Sequence, residues 1–213
     1  MISRHLYVVD EDVEHNVRIP DDSVIEWLHA VGFDHVLDPG GLDHFYFLIA
    51  LTLPFVFRQW QKLLVWVSIF TLGHTLSLLI SHFKWILVDG KWIEFLIPIT
   101  ISITCLSVLF KKKNTIPKAS WINSITLFFG LIHGFGFGRY FSMISLNEEN
   151  AVISLFEFAV GVEFAQLIIV LSMLIINFLV IKVFGFKIQK WELIVAAMIL
   201  SQAISMTVEN WPL

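Results

Sequence analysis

Residues 63–83 read LLVWVSIFTLGHTLSLLISHF, an apolar run with a histidine, His74, just beyond its middle and a second, His82, at its end. A helix needs about 20 mostly apolar residues to cross the hydrocarbon core. It crosses as a helix because every backbone donor and acceptor must be satisfied without water. An imidazole at that depth is costly and by default marks a functional site. This stretch therefore predicts a membrane span and the first member of a polar cluster.

The rest of the chain agrees. Hydrophobic residues make up 57% of the 213 residues and charged residues 15%, against roughly 45–50% and about 25% in ordinary globular chains. Apolar runs predict six spans, near 43–57, 63–83, 92–110, 120–141, 151–181 and 191–209. The expected fold is an all-α polytopic bundle of about six transmembrane helices. Pro54 shortens the first span, so a tilt or a start in a polar, protein-buried turn is expected there. The fifth is long enough to project or tilt. The net charge of −4 gives no reason to expect nucleic-acid binding. The lone Cys105 excludes a disulfide framework within the chain and reads as a small buried hydrophobe.

Orientation follows from the basic residues. Nine of them (Arg58, Lys62, Lys111, Lys112, Lys113, Lys118, Lys182, Lys187 and Lys190) fall in connections 1–2, 3–4 and 5–6, against Lys84, Lys91 and Arg139 in the others. The bias places the odd connections in the cytoplasm and both termini outside. Nothing near Met1 has the apolar run of a cleavable signal peptide.

Residues 1–41 read as a polar outer lead before a transmembrane domain at 42–213. Ser23 and Glu26 have capping-box spacing, and Val24, Trp27, Leu28 and Val31 recur at helical spacing. A short amphipathic helix lying on the outer face and ending near Gly32 is expected. DPGG at 38–41 is a turn into the first span. His5, His15, His29 and His82 read as solvated or interfacial.

The polar residues of the spans fall to one side. Counted from the outer end, Asp43, His44, Glu94 and Glu157 lie near span starts, His74 and His133 in the outer part of outward-running spans, and Glu163 and Gln166 near mid-depth. Randomly placed polar groups would scatter between the halves, so one shared site is expected. Imidazole and carboxylate together suit a divalent transition metal. Asp43, His44, His74, His133 and Glu163 are the candidate ligands, with Glu94, Glu157 and Gln166 in support. Bland readings stand beside these: Asp43 as a helix cap, Glu94 as a hydrated interfacial group, Glu157 snorkelling, and Thr71 and Ser77 as interhelical glue. Gly130, Gly134 and Gly138, spaced by four around His133, put a close-packing face on the fourth span.

The ordered runs GFDHVLDPGGLDHFYFLIAL (32–51), FTLGHTLSL (70–78), EFLIPITIS (94–102), FGLIHGFGF (129–137) and GVEFAQ (161–166) resemble the HupE/UreJ family of bacterial membrane proteins. The resemblance implies a bacterial inner-membrane protein linked to nickel supply, and it adds His35, with Asp43 and His44, as the first His/Asp-His motif. His35 and Asp43 stand further apart here than in the nickel-permease branch. After His133-Gly134 the chain lacks that branch's next histidine and glutamate. It is therefore similar to the second branch of the family.

Two functions fit. In the first, a nickel or related divalent-metal permease or accessory protein collects the ion at the outer residues and releases it inward. In the second, a zinc-type intramembrane hydrolase holds a metal-bound water of lowered pKa at the outer leaflet. Asp43 or Glu163 would be its base, with Ser77 orienting the water. The bilayer and the metal ion are the expected partners; a homo-oligomer or an accessory membrane protein is left open.

Overall fold

Gly73, Ser77 and Ser81 recur every four residues along one helix, and Gly130, Gly134 and Gly138 along another, and these two rows meet. In the computed structural model, which describes residues 21–38, 42–110, 119–144 and 151–212, the helices are α3 (Trp60–His82) and α5 (Ala119–Ile144). Each glycine lies against the backbone or a serine of the other helix: Gly73 on Leu127, Gly130 on Phe70 and His74, Gly134 on His74 and Ser77, Gly138 on Ser81. Both numberings rise together, so the helices run parallel. Small residues permit this approach, which supplies dispersion contacts where lipid offers no hydrophobic drive for helix association.

The regular elements of the described residues are all helical. They are α1 (Asp21–Leu37), α2 (Asp43–Thr52), a 3₁₀ turn (Phe57–Gln59), α3, α4 (Gly90–Leu109), α5, α6 (Ala151–Lys182) and α7 (Ile188–Glu209). Four segments, 57–82, 90–109, 152–182 and 188–209, are long and apolar enough to cross a membrane. The 26-residue α5 also has the length.

The expected first span, 43–57, is corrected. Its helix has only ten residues, roughly 15 Å, which is half the hydrocarbon thickness. The helix closes at Thr52 because Pro54 cannot continue it, and Val56 is already extended. Apolarity does continue, since Leu53 and Phe55 are buried; hydropathy alone could not reveal the break.

The N-terminal helix is also corrected. It does not end near Gly32 but runs on to Leu37. Gly32 meets the Phe158 carbonyl and the Val162 amide of α6, while Gly161 of α6 meets the His29 carbonyl of α1. The two helices therefore cross backbone to backbone. Residues 1–20, with His5 and His15, most of the turn at 38–41 and Lys111–Lys118 lie outside the described residues.

Two polar ties fix the ends of the bundle. At the end carrying Arg58, Lys62 and Lys187, the Asn177 amide donates to the Phe55 carbonyl at 3.3 Å and accepts from Trp191 Nε1 at 2.8 Å. At the opposite end, Pro98 within α4 has no N–H for the carbonyl of Glu94. Asn210 Nδ2, just beyond α7, takes that carbonyl at 3.2 Å. Between the ends, one core of buried side chains draws on every helix.

Candidate metal centre

α1 ends where α2 begins, and both termini point their histidines at the α3–α5 pair. The imidazole centroids of His35 and His44 are 4.8 Å apart, those of His44 and His74 5.3 Å, of His44 and His133 5.3 Å, and of His35 and His74 5.7 Å. Four separate helices thus deliver one ring each. His44, His74 and His133 are fully buried. Phe47, Phe70, Phe137 and Phe158 surround the group, with Phe137 only 3.9 Å from His35 between centroids.

Within this apolar wall, Nε2 of His35, His44, His74 and His133 are all buried without a hydrogen-bond partner. Leaving a buried polar atom unpaired costs about 1–3 kcal/mol, so four in one place call for an explanation. Two of the rings have an oxygen within hydrogen-bond distance of Nδ1. His133 Nδ1 donates to the Phe129 carbonyl at 2.8 Å. His44 Nδ1 lies 3.1 Å from Asp43 Oδ1. A neutral imidazole has one N–H, so a donor at Nδ1 leaves a lone pair on Nε2.

The donor set fits a metal of the imidazole-binding class. One nitrogen each from His35, His44 and His74 lie within 4.8 Å of one another. A tetrahedral zinc–nitrogen bond of about 2.1 Å sets neighbouring nitrogens roughly 3.4 Å apart, so the three rings need only close slightly. His133 stands beside His44 as a fourth imidazole.

The other expected site residues are placed differently. Glu163 faces α3, where Ser68 Oγ donates to its Oε1 at 2.7 Å and the Thr71 hydroxyl meets its Oε2. Buried Gln166 has its Oε1 3.1 Å from that hydroxyl. Thr71 is one helical turn before His74, so this hydroxyl–carboxylate group lies just beyond the histidines toward the basic end. Glu157 pairs with His29 of α1. Glu94 is exposed at the α4–α7 end. Ser77 Oγ donates to the His74 carbonyl at 2.8 Å. Missed by sequence reasoning were the Phe129 carbonyl, which carries no side-chain signal, and the glycine crossing of α1 on α6, whose two members have no shared spacing.

A family model described as HupE / UreJ protein covers residues 12–211. No curated protein and no solved structure matches the chain.

Proposed function

Since the chain belongs to the HupE/UreJ family, we propose that it is a multi-pass inner-membrane protein that binds a divalent transition metal at His35, His44, His74 and His133 and serves as a permease or accessory protein for that metal. The observation that carries this reading is the convergence of four imidazole rings from four helices, each with a buried, unpartnered Nε2. Nickel and zinc are the favoured ions, because imidazole suits both. The basic residues near the 3₁₀ turn and the α6–α7 connection put that end in the cytoplasm. The histidines then lie in the outer half of the bilayer, with both termini outside and α1 and α2 together completing a sixth crossing. Glu163, Thr71 and Gln166, placed one turn inward, supply the next polar step for a departing ion.

A second reading rests on the ligand count. Three nitrogens within 4.8 Å could leave one coordination position for water, as hydrolytic zinc sites do. Both readings need the metal, and transport separates them. Purified protein should carry near-stoichiometric metal by mass spectrometry, and proteoliposomes should accumulate nickel, cobalt, copper or zinc. Retained metal with no uptake of any of the four would favour the hydrolase.

A further inference from the structure

Asp43 Oδ1 receives two donors from the next residue, the His44 backbone N–H at 2.9 Å and His44 Nδ1 at 3.1 Å. An ionised carboxylate only accepts, so this contact puts the imidazole proton on Nδ1 and the lone pair on Nε2. That Nε2 is buried and unpartnered, on a ring whose centroid lies 4.8–5.3 Å from those of His35, His74 and His133. Asp43 is also the first residue of α2, where unbonded backbone N–H groups and the helix dipole stabilise a carboxylate. Its charge is thereby held at the Nδ1 side of the ring, away from the unpartnered Nε2.

We propose that Asp43 is a positioning residue, which acts through His44 and is not itself a metal ligand. The inference rests on the metal-centre reading and deepens it. Phe129 plays the neutral form of the same part for His133, through a carbonyl 2.8 Å from Nδ1. Asp43 differs by its charge. A carboxylate behind a ligating imidazole raises the basicity of the ring and fixes its orientation, and removing such a partner commonly costs 10–100-fold in metal affinity.

Two measurements test the proposal. In metal-free protein labelled with ¹⁵N-histidine, His44 should be protonated at Nδ1 in the unmodified chain and in Asp43→Asn, whose side-chain oxygen still accepts. In Asp43→Ala it should be a mixture of tautomers; His44→Gln identifies the signal. Zinc affinity, measured by competition with a chelator, should fall 10–100-fold in Asp43→Ala and recover in part in Asp43→Asn. In a His44→Gln background, Asp43→Ala should cost nothing further, because the carboxylate then has no ring to orient. A full additional loss in that background would make Asp43 a ligand in its own right and overturn the proposal. An unchanged tautomer in Asp43→Ala would overturn it too, leaving Asp43 as a helix cap. If the unmodified protein binds no zinc while the tautomer still depends on Asp43, the metal reading fails and the positioning relation stands.

Discussion

Gly134 lies so close to the carbonyl oxygen of His74 that a Cβ on the glycine has no room. This contact joins the helices of His74 and His133 at the histidines themselves, because Gly134 follows His133 directly. Packing of α3 on α5 and placement of the imidazoles are therefore one event.

Gly134→Ala and Gly130→Ala should each cost about 1–3 kcal/mol, the usual cost of overpacking, and should weaken metal binding as His74 and His133 separate. Thermal unfolding in detergent, read beside zinc affinity, checks both effects. Gly136→Ala is the internal comparison, since its nearest neighbour is the side-chain tip of Ile97 at 3.1 Å. It should be clearly milder. Gly90, with nothing within 4 Å, should accept alanine without loss. Equal effects at all four positions would show that the close backbone approach does not set the site.

A second expectation concerns the carbonyl of Glu94. Asn210→Ala should destabilise by about 0.5–1.5 kcal/mol, the net worth of one hydrogen bond. In a Pro98→Ala background α4 regains its own N–H for that carbonyl, so the same substitution should cost much less. A double-mutant cycle on unfolding free energy reads this coupling directly. Additive costs would mean that Asn210 does not compensate for the proline.

How much of this was legible beforehand varies with the physics involved. The α5 glycines were readable because a four-residue spacing identifies a helix face without any partner. Gly32 was misread because glycine after an amphipathic run ordinarily ends a helix, whereas here it serves a crossing whose other half, Gly161, lies far along the chain. Three of the histidines, His44, His74 and His133, could be assigned a depth from hydropathy, and depth was enough to group them; His35, in the polar lead, came only with the family resemblance. Depth does not give rotation, however. Glu163 lies near the right level but faces the hydroxyls of Ser68 and Thr71, and Glu157 turns to His29. The end of α2 was obscured because Leu53 and Phe55 remain apolar and buried after the helix has stopped.

Single histidine substitutions should separate the centre from its surroundings. Alanine at His35, His44, His74 or His133 removes a nitrogen of the cluster and should lower metal affinity by at least the 10–100-fold seen for lesser changes behind a ligand. His29→Ala and His82→Ala should leave affinity unchanged, since His29 is engaged with Glu157 and His82 packs on Phe83 and Phe141. Chelator competition on each purified variant provides the ranking. A loss at only one of the four positions, with the fold intact, would dissolve the idea of a shared site.

The last expectation asks what happens to an ion beyond the histidines. Ser68, Thr71, Glu163 and Gln166 form the next polar group toward the basic end, and the Glu163 carboxylate is the only anionic side chain in it. If a cation moves inward, this carboxylate stabilises it after the imidazoles release it, and losing the charge raises that barrier. Glu163→Gln keeps an oxygen for the two hydroxyls and removes only the charge. Uptake into proteoliposomes should then fall tenfold or more, a barrier change of about 1.4 kcal/mol or above, while zinc affinity at the histidines stays within a few fold. A hydrolase fed from the outer side needs no such exit, and its turnover would survive the same change. Unchanged uptake in Glu163→Gln would exclude Glu163 from the path, and an emptied histidine site would return it to the ligand set.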